Sequence, residues 1–161
     1  MSVDLIYTLK RDTHYAVDSE GFFLLRTTTD ALRYFPILFR DKGVLLGAKL
    51  ALKVSLRRSC YFGIARDGSP LSTGVLALGY CRYYPVPSDA IVIGEIETKP
   101  LHRGNGHATR AIMLAMNSMV ESGGTAVFYI DTQLHNAPMI RAIHKLGFGT
   151  AVSGNAIGSG M

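Results

Sequence analysis

The hexapeptide Arg103-Gly104-Asn105-Gly106-His107-Ala108 determines the predicted fold, because it connects a strand-like run at 91–98 to a helix-like run at 109–120. Two glycines within three residues allow a tight turn in which the backbone comes close to a ligand. Unpaired N–H groups at the start of the next helix can then converge on one anion, to which the helix dipole adds about 0.3 to 1 kcal/mol. Arg103 adds a positive charge. The loop therefore predicts a pyrophosphate-binding site.

The spacing of the glycines excludes the commonest phosphate-binding loops. It does not fit G-x-G-x-x-G, the dinucleotide-binding pattern, and no G-x-x-x-x-G-K-[ST] sequence is present. The net charge of +5 suits a polyanionic ligand, but no basic stretch interleaved with aromatic residues indicates a nucleic-acid partner. Cys60 and Cys81 lack metal-type spacing, so we expect reduced thiols and no metal.

A second motif, NAPMIRAIHKLGF, occupies positions 136–148. Asn136 is a favourable helix N-cap, Pro138 suits a first helical turn, and Gly147 is the residue expected just past a helix C-terminus. We therefore predict a helix over 137–146. A predicted strand at 125–131 lies between this motif and the phosphate loop.

Together the two motifs resemble the GNAT superfamily of acyl-CoA-dependent N-acetyltransferases. The pattern R-x-x-G-x-A at 103–108 is similar to the acetyl-CoA signature of that family, and 136–148 is similar to its last helix and closing L-G-F. The resemblance implies an α/β (α+β) fold, in which a single GNAT-like domain covers 1–161. Its central sheet is mixed and mostly antiparallel, about four helices flank the sheet, and a splayed strand pair binds CoA.

The resemblance also implies where acetyl-CoA, the cosubstrate, binds. The loop holds the pyrophosphate, and the main chain of the preceding strand pairs with pantetheine and polarises the thioester. Asn136 contacts the pantetheine or phosphate end, although its capping preference alone explains an Asn there. His107, where the family usually has an aliphatic residue, either adds a donor near the phosphates or is a buried structural imidazole. The implied contacts are Ile96, Thr98, Leu101, His102, Arg103, Gly104, Asn105, Gly106, His107, Ala108 and Asn136.

Acetyl transfer to an amine requires a proton acceptor, because an alkylamine with a pKa of about 10.4 is protonated at neutral pH. Strand alternation places Glu95 and Glu97 on one face of the sheet. In the family, carboxylates on this strand often act as general base, so Glu95 is favoured and Glu97 is close behind. The alternative is that each is a solvated carboxylate at a strand end.

The chain departs from the family pattern in two places. Many members carry a Tyr in the last helix that protonates the leaving thiolate, whereas Ile143 stands at the matching position. Either solvent protonates the thiolate, which has an ordinary thiol pKa of about 8.5, or a Tyr from elsewhere in the chain does so, and the candidates are Tyr129, Tyr83 and Tyr80. Members usually end with two strands after L-G-F, but only the Gly-rich tail 149–161 follows here, with room for one short strand near 150–152. The sheet edge is then open, covered by the alternating run 3–9 of an N-terminal extension (1–20), or covered in a homodimer.

Periodicity and capping predict the remaining elements. Strands are expected at 22–27, 61–66 and 71–83, with a turn at 67–70 between the last two. A short helix starts near Asp30 and is ended or kinked by Pro36, and Asp41 caps a second helix over 42–58. The second helix is predicted to have an apolar side, formed by Leu45, Ala48, Leu52 and Leu56. Its basic side is formed by Lys42, Lys49, Lys53 and Arg57.

Composition and length fit one soluble enzyme domain. The chain has 161 residues, of which 48% are hydrophobic and 18% charged, with no bilayer-length apolar stretch and no signal-peptide pattern. We therefore expect a cytoplasmic protein with no membrane partner.

The expected reaction is direct acetyl transfer, in a ternary complex, to the primary amine of a small molecule such as an amino sugar. The basic side of the second helix favours an anionic acceptor unless it is only a solvated face. The alternatives are a protein or peptide N-acetyltransferase and a catalytically idle CoA-binding module.

Overall fold

The computed structural model describes residues 5–56 and 58–153, and every strand in these ranges joins one sheet. The elements in chain order are β1 Leu5–Arg11, β2 Phe22–Leu25, α1 Thr28–Arg33, α2 Phe35–Ser55, β3 Ser59–Arg66, β4 Ser69–Leu78, β5 Ile91–Thr98, a 3-10 turn Pro100–His102, α3 His107–Gly123, β6 Ala126–Thr132, α4 Ala137–Lys145 and β7 Val152–Ser153. The strand order is β2-β3-β4-β5-β6-β1-β7, and of these pairs β5–β6 alone is parallel. The mixed, mostly antiparallel sheet with four helices is confirmed.

Different helices cover the two faces of the sheet. On one face α3 and α4 bury Ile112 and Ile143 against strand residues such as Phe62. On the other face α1 and α2 pack through side chains such as Leu38 against Tyr61. Because successive strand residues point to opposite faces, Tyr61 and Phe62 belong to the two different cores. The sheet therefore separates an α3–α4 face from an α1–α2 face.

Helix α2 consists of two helical segments divided at Gly43, and the second segment begins close to the start predicted at Lys42. It starts at Phe35, ends at Ser55 and contains one non-helical residue, Gly43, with φ 75° and ψ 175°. Pro36 lies in its first turn, where the N–H that proline lacks would have no helical partner. The prediction that Asp41 caps this helix is wrong, because the Asp41 side chain is only 3% exposed and binds neighbouring side chains.

The buried side of α2 also differs from the prediction. Leu45, Leu52 and Leu56 are 86%, 61% and 59% exposed, whereas the buried residues are Leu38, Gly47, Leu50 and Val54. The break at Gly43 brings Gly47 against the Leu38 main chain, where an added Cβ would lie 3.4 Å from the Leu38 oxygen. Because of this contact, the side of α2 that contains Gly47 faces the sheet.

Neither α2 nor another helix in the described ranges is long and apolar enough to cross a membrane. Arg57, the last member of the basic side, lies outside the described residues.

The N-terminal strand covers the edge of the sheet beside β6. Strand β1 pairs antiparallel with all of β6, from Leu5 opposite Thr132 to Arg11 opposite Ala126, and β7 adds a two-residue strand to its other side. Of the predicted run 3–9, residues 3 and 4 lie outside the described ranges, as does 154–161 of the tail. The shortened C-terminal strand is confirmed. The homodimer stays a prediction. An open sheet edge had motivated it, and in the structure β1 covers that edge of β6.

The predicted turn between β3 and β4 is confirmed. Asp67 and Gly68 both have left-handed backbone angles, with φ 51° and 71°, which an Asp-Gly pair adopts readily. Strand β4 ends at Leu78, earlier than predicted, because the chain leaves the sheet as the loop 79–90. This loop returns with Tyr84 buried against the α1–α2 face of the sheet, beside β6.

Candidate active site

Strands β5 and β6 pair over only three residues and then separate. The pairs are Ile91 with Phe128, Val92 with Tyr129 and Ile93 with Ile130. Beyond them a cavity of about 190 Å³ opens between residues 93–96 of β5 and residues 130–133, at the end of β6 and just after it, and Asn136 and Met139 also line it. We call this cavity the strand gap. It is the splayed pair that the sequence resemblance implies.

A β-bulge at Glu95 changes which side chains share a face of β5. Thr73 of β4 pairs with Glu97 while Val75 pairs with Gly94, so Glu95 and Ile96 together oppose Gly74. Glu95 has a left-handed φ of 52°. The predicted common face of Glu95 and Glu97 is therefore wrong, since Glu95 lines the strand gap and Glu97 contacts Lys42 of α2. The glycine at 94 was the available signal, because a glycine inside a strand often marks a bulge.

The charge of Glu97 is compensated by Lys42. The Lys42 Nζ lies 2.9 Å from Glu97 Oε2 and 3.3 Å from Asp41 Oδ2. Burial alone would lower the pKa of Lys42, but the hydrogen bond to Glu97 and the negative charges of Asp41 and Glu97 raise it above its ordinary value. Lys42 therefore stays charged. This ion pair connects α2 to β5 immediately beside the strand gap.

Asp131 and Tyr84 form a pair that the sequence did not predict as part of the site. Asp131 lines the strand gap on the β6 side, and its Oδ2 accepts a hydrogen bond from the Tyr84 hydroxyl at 2.9 Å. Burial raises the pKa of Asp131 above its ordinary value, against the opposing effect of the Tyr84 hydrogen bond. Burial, followed by the charge of Asp131, also raises the pKa of Tyr84, which keeps the phenol protonated as a donor. A polar residue at the carboxyl end of a strand beside a parallel neighbour was the available signal.

Three other predicted site residues have clear positions. Tyr129 packs against Tyr84, with ring centroids 6.4 Å apart, and is not among the described residues that line the strand gap. Ile143 is fully buried in the core. Asn136 caps α4, because its side chain accepts a hydrogen bond from the Met139 N–H at 3.3 Å, and it also lines the strand gap. Its capping role is confirmed and its contact with CoA stays a prediction.

The loop 103–108 presents main-chain donors at the start of α3. Gly104 and Gly106 have φ 80° and 75°, and Gly106 is the residue before the helix. No described residue accepts a hydrogen bond from the N–H of Asn105, Gly106, His107 or Ala108. A Cβ added at either glycine would meet no atom within 4 Å, so open space faces the loop. These features fit an anion that binds to the backbone.

The charge around this loop comes from arginines. Arg103 donates from Nε to the Thr98 carbonyl oxygen at 3.1 Å, which fixes the loop to the end of β5. Burial, and then the charges of Arg110 and Arg66, lower the pKa of His107, which is therefore neutral at pH 7. His102 meets the His107 ring edge-on at 6.2 Å. The neighbouring Leu101 is 91% exposed. The site thus suits a phosphate group without a protonated histidine.

Over the described ranges, no three His, Cys, Asp or Glu side chains are grouped so that they could hold a metal ion. Cys60 is buried, Cys81 is half-buried, and both are free thiols.

Comparison with known proteins identifies the family. Residues 6–148 match the model of the Acetyltransferase (GNAT) family. Among solved structures, a GNAT-family protein from Novosphingobium aromaticivorans has a TM-score of 0.59 at 22% identity and covers 93% of this chain, which spans 61% of that protein. No curated protein sequence matches significantly.

Two further solved structures have the same fold. The acetyltransferase AAC(6')-Iy, solved with a CoA–acetylneamine bisubstrate analogue, has a TM-score of 0.57 at 15% identity, with 80% of this chain and 90% of that one covered. The ribosomal-protein-S5-alanine acetyltransferase from Vibrio fischeri has a TM-score of 0.58 at 14% identity, with 86% and 84% covered. These likenesses show the fold.

Proposed function

The chain belongs to the GNAT acetyltransferase family, and from that premise we propose that it transfers an acetyl group from acetyl-CoA to a primary amine of a small molecule. The transfer is direct, in a ternary complex. The observation that carries the proposal is the strand gap, which is lined by Glu95, a carboxylate that has no ion pair with a described residue. The loop 103–108, with its free N–H groups, follows the same strand and supplies an anion site.

Acetyl-CoA is accommodated by groups that have no other partner in the described chain. The N–H groups of the loop 103–108 bind the pyrophosphate, and the arginines around it neutralise its charge. Pantetheine enters the strand gap, where the β5 main chain beyond Ile93 has no pairing with β6. Asn136, at one end of the gap, is near enough to contact the same arm. A main-chain N–H of 96–98 would polarise the thioester carbonyl.

Glu95 is the general base in this proposal. It lines the strand gap and has no ion pair with a described residue, whereas the charge of Glu97 is compensated by Lys42. Glu95 takes one proton from the ammonium group, and the neutral nitrogen attacks the carbonyl carbon of the thioester. The C–S bond then breaks, the thiolate leaves, and the amide nitrogen loses its second proton to solvent. A thiol has an ordinary pKa of about 8.5, so the thiolate takes a proton from water without a dedicated acid in the place of Ile143.

An assay of CoA release against a panel of primary amines, together with calorimetric titration of acetyl-CoA, tests the proposal. We expect micromolar binding of acetyl-CoA and turnover of at least one small amine. Turnover of peptide N-termini alone would instead indicate a protein acetyltransferase. Binding without any turnover would indicate an idle CoA-binding module, and absence of binding would overturn the assignment.

Glutamine substitutions separate the two glutamates of β5. We expect Glu95→Gln to lower kcat by about 100-fold, the low end for loss of a general base, with an unchanged Kd for acetyl-CoA. Glu97→Gln should lower kcat by less than about fivefold, because it removes a contact to Lys42 rather than a proton acceptor. Steady-state kinetics on the best amine of the panel measures both. The reverse order of effects would make Glu97 the base.

A further inference from the structure

The two carboxylates on the walls of the strand gap lack a cationic partner within the described residues. Glu95 lies on the β5 side and Asp131 on the β6 side of the same cavity. The carboxylates of Asp41 and Glu97, which do not line the strand gap, are both in contact with Lys42. The strand gap therefore has two negative charges that the described chain leaves uncompensated.

Asp131 is held in place but has a free binding position. Tyr84, which is 6% exposed, donates its hydroxyl to Oδ2, and Oδ1 has no hydrogen bond or ion pair with a described residue. Since Oδ1 is not among the buried side-chain atoms that lack a hydrogen-bond partner, it is not fully buried, and Asp131 lines the cavity. A half-buried carboxylate is costly unless it is paired, and a cation in the cavity would pair with it.

The basic residues of α2 do not oppose a cationic ligand. Lys42, the member nearest to β5, is already paired with Glu97 and Asp41. Lys49 and Lys53 are exposed, and neither lines the strand gap. The electrostatic complement of the cavity is therefore positive, which disfavours the anionic acceptor that the basic side of α2 suggested.

We propose that Asp131, fixed by Tyr84, binds a second cationic group of the acceptor while the reacting amine lies beside Glu95. The acceptor class is then a diamine or polyamine with at least two positive charges, one for each carboxylate. This inference rests on the proposed acetyl transfer and specifies its substrate. Asp131 takes no part in bond making; it determines which amines bind.

Putrescine and n-butylamine have the same carbon chain and differ in one ammonium group, so their kcat/KM ratio measures the second charge. In the native chain we expect kcat/KM to be roughly 10- to 100-fold higher for putrescine than for n-butylamine, after correction for the two equivalent amines of putrescine. This is the ratio expected when one hydrogen bond to a charged group is lost. Asp131→Asn should reduce this ratio to less than about threefold, mainly by raising the KM for putrescine. Tyr84→Phe should reduce it by at least about threefold, because Asp131 loses its anchor. Asp89→Asn, on an exposed residue of the same loop, should leave the ratio unchanged.

Each ratio is measured within one folded variant, so differences in active fraction cancel. Equal use of the two amines by the native chain, or a preference that survives in Asp131→Asn, would overturn the inference while turnover itself upholds the acetyltransferase. If Asp131→Asn does not fold, an unchanged putrescine-to-butylamine ratio of kcat/KM in Tyr84→Phe would also overturn the inference. If the native chain acetylates no amine, the proposed function fails and the inference fails with it.

Discussion

Replacing Gly104 and Gly106 together by alanine is expected to weaken acetyl-CoA binding by roughly 30- to 700-fold, which corresponds to about 1 to 2 kcal/mol of left-handed strain per residue. Both residues have positive φ, and the N–H groups of 105–108, from which no described residue accepts a hydrogen bond, are the groups that we propose bind the pyrophosphate. An alanine avoids strain in the unliganded protein by relaxing the loop. The cost then arises on binding, when the original conformation must be restored.

Calorimetric titration of acetyl-CoA measures this effect, and thermal unfolding shows whether the rest of the fold is intact. Gly123→Ala is the matched control, because Gly123 is the last residue of α3, lacks a positive φ and has open space around it. That variant should bind acetyl-CoA as the native chain does. A double variant that binds within about threefold of native would show that the main chain of this loop does not hold the cofactor.

Asp41→Ala is expected to lower the free energy of unfolding by about 3 to 5 kcal/mol, the usual cost of removing one partner from a buried charged pair. The Asp41 side chain is 3% exposed, and it accepts a hydrogen bond from the Tyr61 hydroxyl at 2.5 Å. Its carboxylate also lies 3.3 Å from Lys42 Nζ and 3.6 Å from Lys99 Nζ. Without it, the fully buried Tyr61 hydroxyl loses this acceptor, and α2 loses its hydrogen bond to β3. The ion pair of Lys42 with Glu97 of β5 remains.

Urea unfolding followed by circular dichroism tests this expectation. Asp12→Ala, at an exposed position of the N-terminal segment, should change the free energy of unfolding by no more than about 0.5 kcal/mol. Tyr61→Phe should cost less in the Asp41→Ala background than in the native chain, because the two groups share one interaction. A loss below about 1 kcal/mol for Asp41→Ala would mean that water replaces the carboxylate at little cost.

The parts of the fold that were predicted correctly are determined by local sequence. The turn at Asp67 and Gly68, the cap at Asn136 and the helix after Gly106 each depend on residues within a few positions of one another. The left-handed turn of the loop 103–108 was predictable for the same reason, and its binding of phosphate stays a prediction. Local rules failed at α2, because the contact of Gly47 with Leu38 decides which side of that helix faces the sheet.

The proposed acceptor side of the site depends on long-range contacts, and the sequence therefore did not predict it. Tyr84 reaches Asp131 across 47 positions of sequence, and Lys42 reaches Glu97 across 55. The bulge at Glu95 shifts the alternation by one residue, so a strict period of two assigns Glu97 to the wrong side. The residue types at these positions form no recognisable sequence motif. They come together only because the fold brings distant segments of the chain into contact.

The pairing of β1 with β6 has a consequence for how the protein folds during synthesis. Leu5 of β1 pairs with Thr132 of β6, so β1 cannot complete its pairing until the much later strand β6 has been synthesised. Closing so long a loop costs entropy before the contact forms, and such non-local pairing slows folding. Strand β6 is also one wall of the strand gap. A nascent chain that ends after the loop 103–108 therefore still lacks the β6 wall of the strand gap. We expect activity to appear only in a late step, when β6 has been added and has paired with β1.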